Sequence, residues 1–102
     1  MVAFVNAFNA GNLPAITVTG TTIAHGTVFS IPGTLSNYGT IPSLDMSLNA
    51  GGTFQALGAG STVSNPNLVI YPGTIASPGT ISFQLKDNNS GAVSNMVSIV
   101  AT

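Results

Sequence analysis

Apolar and polar side chains alternate along most of this chain with a period of two, which is the spacing of a strand with one buried face. No apolar stripe at helical spacing continues past a glycine, proline or asparagine. We therefore predict an all-β chain folded as an antiparallel sandwich, in which each sheet buries one face. The two clearest runs supply the predicted core between the sheets: Leu44, Met46 and Leu48 in one, and Ile81, Phe83 and Leu85 in the other.

Turn residues divide the alternating runs into short segments. About seven or eight strands in a domain of this length are typical of a β-sandwich. Pro32 lies inside the second run and predicts an edge position or a bulge, since proline cannot donate to a ladder. We predict a sandwich domain over residues 13–102 and a separate apolar arm over residues 1–12. The predicted strands cover residues 13–19, 26–35, 43–49, 53–57, 61–63, 68–71, 81–86 and 93–100.

The chain carries almost no charge. Lys86 is its one basic side chain, Asp45 and Asp87 are its acidic ones, and 3% of the 102 residues are charged, whereas soluble domains average roughly 25%. A chain with a net charge of −1 and 44% apolar residues lacks the repulsion that keeps proteins apart in solution. We expect a subunit whose surface is covered by other protein. One lysine and no arginine exclude nucleic acid as a partner.

The arm has its own apolar character. Gly11 separates it from the domain. An exposed apolar segment without charges favours association, so we predict that this arm docks on a partner's sheet edge or in a groove, with Phe4 and Phe8 as anchors. The alternative is a first strand of the chain's own sandwich. The predicted interface residues are Val2, Phe4, Val5 and Phe8.

The inventory of reactive side chains is small. His25 is the one histidine, it lies in a predicted turn, and neither aspartate is near it in sequence, so an exposed turn histidine is favoured over a catalytic triad. Asp87 begins a hairpin turn, where an aspartate typically caps the backbone. Residues 87–90 offer one carboxylate, too few for calcium. We predict no catalytic residues, metal site or cofactor.

Tyr38 and Tyr71 support a second hypothesis, in which the chain binds a glycan. Sugar sites use exposed aromatic rings together with amide and hydroxyl groups, and the chain is rich in the latter but has no tryptophan. The competing interpretation is that each ring packs at the domain boundary with its hydroxyl in solvent. The glycan hypothesis gains if both rings lie on one open face.

Two stretches resemble a known family of modules. Residues 26–35 followed by residues 42–48 resemble strands B and C of bacterial and phage immunoglobulin-like modules. Residues 78–87, with the Gly-x-x-Ser-Asn stretch at 91–95, resemble their F–G hairpin. The cysteine pair and core tryptophan of antibody domains are absent, as they commonly are in these modules. The resemblance implies an immunoglobulin-like β-sandwich.

Standing alone after a short apolar arm, such a module resembles the capsid decoration, or cement, proteins of tailed phages. The resemblance implies a non-enzymatic virion protein at the capsid surface, with the major capsid protein or another virion protein and copies of itself as partners. The first residues lack the basic region of a secretory signal and no apolar run approaches a membrane span, so we expect assembly in the host cytoplasm. The alternatives are an adhesion or carbohydrate-binding module on a phage or cell surface, with surface glycans as partner, and a fibre-forming subunit.

Overall fold

A computed structural model describes residues 13–102, which form two packed β-sheets. The predicted arm, residues 1–12, lies outside the described residues, so the prediction that it docks on a partner stays a prediction. The described strands are β1 (Ala15–Val18), β2 (Thr21–Ile23), β3 (Ile31–Ser36), β4 (Leu44–Ser47), β5 (Gln55–Ala56), β6 (Thr62–Val63), β7 (Asn67–Ile70), β8 (Gly79–Asp87) and β9 (Val97–Ala101).

The strand order separates the chain into two layers. One sheet has the order β1-β3-β7-β6 and is antiparallel throughout. The other has the order β2-β9-β8-β4-β5 and is antiparallel except where β2 runs parallel to β9. This arrangement matches the two-sheet order of immunoglobulin domains, with strands A, B, E and D in one sheet and C, F and G in the other. The segments predicted as strands B and C are β3 and β4, in opposite sheets, and those predicted as F and G are β8 and β9.

The predicted register is confirmed in the core. Phe83 and Leu85 of β8 are fully buried and pair with β9 and β4 respectively. Leu44 and Met46 are also buried, while Leu48 and Ile81 are partly buried against the same cluster. The inner face of the other sheet completes the core with Ile16, Val18, Ile31, Leu35, Leu68 and Ile70.

The prediction that Pro32 lies at an edge or bulge is wrong. Strand β3 lies between β1 and β7, so Pro32 is in a central strand. Its carbonyl accepts a hydrogen bond from the backbone N–H of Thr19 at 3.2 Å, on the side where β1 has just ended. The N–H and C=O of one residue in an antiparallel strand point the same way. The nitrogen of Pro32 therefore faces the end of β1, and its lack of an N–H removes no hydrogen bond to β7.

Strand β3 is also shorter than predicted, because it begins at Ile31 and not at residue 26. Its partner β7 ends at Ile70, directly opposite Ile31. Pro72 follows shortly after and cannot donate to a ladder. Residues 26–30 therefore leave the sheet, and Val28 within them is 80% exposed.

Strand β2 was not predicted from the sequence. The chain passes from one sheet to the other between Val18 and Thr21, and Gly20 lies at the crossing. A Cβ atom at Gly20 would collide with the backbone carbonyl of Ser98 in the adjacent strand β9. Glycine permits this close approach because it has no side chain, and the approach places β2 beside β9.

Ser47 is buried, although its position between Met46 and Leu48 in the alternating run predicts an outward side chain. Its hydroxyl accepts hydrogen bonds from the backbone N–H of Gly51 at 2.8 Å and of Asn49 at 3.3 Å. The same hydroxyl donates to the side-chain oxygen of Asn49 at 2.8 Å. Ser47 is buried because it closes the predicted turn between β4 and β5.

Strand β9 begins at Val97, later than the predicted residue 93. Before Val97, hydrogen bonds of the buried Ser94 to β8 take the place of regular strand pairing. Its hydroxyl accepts the backbone N–H of Leu85 at 2.8 Å, and its own N–H donates to the carbonyl of Leu85 at 2.9 Å. The side chain thus substitutes for a backbone carbonyl, and the strand becomes regular only afterwards.

Asn95, the last residue of the Gly-x-x-Ser-Asn stretch, has a structural role. Its side-chain oxygen accepts the backbone N–H of Val18 at 2.8 Å, and its side-chain nitrogen donates to the Val18 carbonyl at 2.9 Å. The backbone N–H of Thr19, the next residue, points toward β3. The backbone N–H and C=O of Val18 therefore point the other way, to the free edge of β1. The side-chain amide of Asn95 therefore hydrogen-bonds both backbone groups of Val18 at the free edge of β1 and so joins the two sheets.

We expect Asn95→Ala to lower the free energy of unfolding by about 1–2 kcal/mol, because two backbone groups at a buried residue lose their partner. Asn67→Ala is the matched control, since Asn67 is exposed in β7, and its effect should stay within about 0.5 kcal/mol. Urea unfolding of both variants measures the difference. Equal effects from the two substitutions would contradict the role given to Asn95.

Candidate interaction surfaces

The few charges of the chain leave most of the described surface neutral. Asp87 is buried, with 2% of its surface exposed. Asp45 and Lys86 lie directly opposite each other on β4 and β8, so the two opposite charges are neighbours on one face of the sheet. The Lys86 Nζ also lies 5.6 Å from the centre of the Phe54 ring, a distance typical of a cation–π contact. Within residues 13–102, the remaining exposed surface carries no aspartate, lysine or arginine.

The outer face of the four-stranded sheet is one such surface, which we call the neutral sheet face. Successive residues of a strand point to opposite sides, and the outward positions here carry short, uncharged side chains. A flat sheet face without charge offers neither repulsion nor a charged partner to another protein. The neutral sheet face consists of Ala15, Thr17, Pro32, Thr34, Thr62, Asn67 and Val69, all exposed.

A second surface is an apolar groove at one end of the sandwich, which we call the end groove. It encloses about 440 Å³, within the usual size range of ligand sites. Its lining is mainly apolar, and three of the lining residues are glycine or alanine. A side chain at Gly58 would collide with the carbonyl of Tyr71. The lining residues are Val28, Phe29, Gly58, Ala59, Tyr71, Gly73 and Thr74.

The opposite end carries a smaller polar pocket of about 270 Å³ around Tyr38 and Asp87. One carboxylate oxygen of Asp87 accepts the backbone N–H of Asn89 at 3.0 Å, and the other accepts the hydroxyl of Ser90 at 2.7 Å. Burial by itself raises the pKa of Asp87, but the hydrogen bonds from Ser90 and from the backbone of Asn89 and Ser90 outweigh it and hold the pKa below 3.8. Asp87 therefore caps its turn, as predicted, and does so as a buried carboxylate.

Tyr38 is partly buried, and its ring packs against the core. The prediction that its hydroxyl is in solvent is wrong, because the oxygen is buried and makes no hydrogen bond of good geometry within residues 13–102. Burial raises the pKa of Tyr38 above 10.0, and the negative charge of Asp87 adds to the increase, while the neighbouring Ser90 hydroxyl opposes it. The side-chain amide of Asn65 donates a hydrogen bond to the backbone carbonyl of Tyr38 at 2.7 Å, which joins the loop between β3 and β4 to the turn between β6 and β7.

The pKa of Asp87 predicts a loss of stability in acid. A carboxyl whose pKa is lower in the folded than in the unfolded state stabilises the fold above its unfolded value, about pH 4, and this contribution is lost as the pH falls through the folded value. Thermal unfolding between about pH 6 and pH 2 should show this decrease. Asp87→Asn should flatten the profile, because it removes the carboxyl that titrates. A decrease unchanged by Asp87→Asn would assign the effect to another group.

His25 is an exposed turn residue, as predicted. Its Nδ1 donates to the carbonyl of Thr102 at 2.7 Å, and its backbone N–H donates to the same oxygen at 3.0 Å. Among residues 13–102, no group of three or more histidine, cysteine, aspartate or glutamate side chains lies close enough to bind a metal. The histidine fastens the end of the described chain to the turn before β3.

Tyr38 and Tyr71 do not share a face. Tyr71 follows Ile70, which pairs with the first residue of β3, whereas Tyr38 lies beyond Ser36, the last residue of that strand. The two rings are therefore at opposite ends of the sandwich, Tyr71 in the end groove and Tyr38 at the polar pocket. The structure does not bring them together as one aromatic platform. The predicted arm residues lie outside the described range.

The end groove was not predicted as a site. Val28 and Phe29 were assigned to a regular strand, and only their departure from the sheet makes them the wall of a groove. Pro72-Gly73, separated from the end of β7 by one residue, was the available signal that strand pairing would end there. Likewise, the burial of Asp87 could have been predicted, because it continues the inward series Phe83 and Leu85.

The sequence matches no protein-family model and no curated protein. The structure is similar to the M1 domain from titin, with a TM-score of 0.58, 10% identity, and coverage of 88% of this chain and 93% of that one. It is also similar to the BTLA ectodomain, with a TM-score of 0.57, 14% identity, and coverage of 85% and 98%. The chain has an immunoglobulin-like β-sandwich fold. At these identities the likeness concerns the fold, and function must be argued from the surfaces.

No helix in the described part of the chain has the length and apolar character needed to cross a bilayer.

Proposed function

We propose that this protein is a non-enzymatic structural subunit of a virion, a capsid decoration or cement protein that stabilises neighbouring capsomers. The observation that carries the proposal is the neutral surface: of three charged side chains, one is buried and the other two face each other across β4 and β8. A surface of this kind is suited to being covered, since burying it removes no charge from water.

Exposed apolar side chains support the same function. Leu13, Ile41 and Val93 are each at least half exposed, and none of them is needed in the core. Single exposed apolar residues are common in proteins, but here few charges lie between them. Repetition by symmetry would let several weak contacts add up through multivalency. The subunit would act by contact area, without chemistry.

Labelling of particles tests the proposal. An antibody raised against the purified chain should decorate the capsid surface in a regular pattern when virions from a producing culture are viewed by electron microscopy. A protein that co-purifies with the cell envelope or stays free, while the particles remain unlabelled, would contradict the virion assignment. Labelling of tail tips alone would favour the adhesion alternative.

The alternative of a carbohydrate-binding module is less well supported. It would have gained from Tyr38 and Tyr71 on one open face, and they lie at opposite ends of the sandwich. Tyr38 in addition has a buried hydroxyl. A glycan site would have to use Tyr71 in a groove whose lining is mainly apolar, which is a poor match for sugar hydroxyl groups.

A further inference from the structure

We propose that the end groove receives the apolar arm, residues 2–8, of a second copy of this chain, so that the copies associate head to tail. The inference specifies a partner and a site for the assembly proposed above, and it rests on that function only in requiring self-association. The arm supplies the apolar side chains, and the groove supplies an apolar receptor at the far end of the sandwich.

The groove and the arm have matching chemistry. Within the described part of the chain no charged residue lines the groove, and the sequence has no charged residue before Asp45. The groove therefore offers nothing to an acidic or basic partner, whereas phenylalanine side chains could bury their full apolar surface in it. Val28, 80% exposed, and the half-buried Phe29 and Tyr71 form walls of this apolar kind.

The arm leaves the domain at the end opposite the groove. The carbonyl of Leu13, the first described residue, accepts a hydrogen bond from the side-chain amide of Asn37 at 3.1 Å. Ala15 pairs with Ser36, the last residue of β3. The groove lies beyond the first residue of β3, where Tyr71 follows Ile70. The root of the arm and the groove are therefore separated by the full length of the strand.

Chain length decides between the groove of the same copy and that of another. Along the strand direction, Leu13 and Tyr71 are separated by roughly 26 Å, at about 3.3 Å for each residue of β3 and its flanks. The chain between Phe8 and Leu13 can span at most roughly 18 Å. Phe8 therefore cannot reach the groove of its own copy, whereas Phe4 could, because the chain between Phe4 and Leu13 can span up to roughly 32 Å. Only the groove of a neighbour can accommodate both phenylalanines together.

This geometry has a consequence for assembly. A contact between two different surfaces, one at each end of the subunit, is heterologous and generates a ring if the rotation closes or a filament if it does not. Every copy then uses its arm once and its groove once. An association through the neutral sheet face alone would instead pair identical surfaces.

Complementary variants of the full chain test the inference. Variant one carries Phe4→Ser and Phe8→Ser, which leave its groove intact. Variant two carries Val28→Asp, which places a charge in the groove and leaves its arm intact; the exposure of Val28 keeps this change out of the core. Each variant alone should need a concentration at least roughly tenfold higher than the unmodified chain for half-association, as expected for the loss of an apolar anchor.

A mixture of the two variants should form a defined one-to-one complex, because the arm of variant two fits the groove of variant one and neither can extend further. Met96→Asp is the matched control, since it places the same charge at an exposed apolar residue outside both the end groove and the neutral sheet face, and it should associate like the unmodified chain. Sedimentation velocity distinguishes these states. Unmodified association in both variants, or no complex in the mixture, would overturn the arm-to-groove contact while leaving the proposed structural function standing.

A second measurement traps the contact and keeps both phenylalanines. The chain has no cysteine, so a double variant Ala7→Cys, Ala59→Cys has one thiol in the arm and one at the groove. Mild oxidation should yield a ladder of disulfide-linked dimers, trimers and larger species on a non-reducing gel. The pair Ala7→Cys, Thr34→Cys, with the second thiol on the neutral sheet face, should not. A ladder from the control pair alone would place the arm on the wrong surface and overturn the inference.

Discussion

Replacement of Phe83 by alanine is expected to lower the free energy of unfolding by about 3–5 kcal/mol. Phe83 is fully buried in β8, which lies between β9 and β4. The substitution removes an aromatic ring from the contact between the sheets, where the surrounding strands cannot collapse into the space. A domain of this size has a total stability of only about 5–15 kcal/mol. Denaturant unfolding measures the loss.

Phe54→Ala is the comparison for Phe83→Ala, because Phe54 is only partly buried and lies beside Lys86 at the surface. Its effect should be smaller, about 1 kcal/mol, since a partly exposed ring loses less contact and a cation–π pair near the surface contributes little. If Phe83→Ala left the midpoint of unfolding unchanged, the register of β8 would be shifted by one residue, with Ser82 and Gln84 facing inward.

The second large effect is expected from Gly20→Ala at the crossing between the sheets. The added methyl group would collide with the backbone carbonyl of Ser98, and a strand backbone cannot move aside as a flexible side chain can. Overpacking of this kind costs about 1–3 kcal/mol. The loss should appear as a lower free energy of unfolding and as faster hydrogen exchange in β2 and the adjoining part of β9.

Gly39→Ala provides the matched control for Gly20→Ala. Among residues 13–102, and apart from its chain neighbours, no atom lies within 4 Å of the position that a Cβ would take at Gly39, so the same substitution has room there. It should be neutral or slightly stabilising, by up to about 1 kcal/mol, because alanine restricts the unfolded chain. If Gly20→Ala were as harmless as Gly39→Ala, the chain would not pass this closely to β9.

The sandwich could be predicted because burial of one sheet face imposes a period of two on the sequence. The alternation around Met46 and around Phe83 is sufficient to identify both the strands and their inward side. The resemblance of residues 78–95 to an F–G hairpin then placed β8 beside β9, which the register confirms. These features are local in the sequence, and a local pattern can report them.

The remaining features depend on contacts between distant segments. The parallel pairing of β2 with β9 joins Thr21 to Ile99, and no short pattern encodes such a pairing. Pro32 could lie in a central strand only because β1 ends beside it. The end groove arises where residues 28–29 leave the sheet opposite Pro72, so its existence depends on where two strands stop.

The central claim is that this molecule associates through uncharged surfaces, and sedimentation of the full chain at two ionic strengths tests it most directly. At micromolar concentration we expect oligomers whose sedimentation coefficient is the same at about 0.05 M and about 1 M salt, since screening acts on charges and hardly on apolar contact. A monomer under both conditions would contradict the claim. So would an oligomer that dissociates as the salt concentration rises.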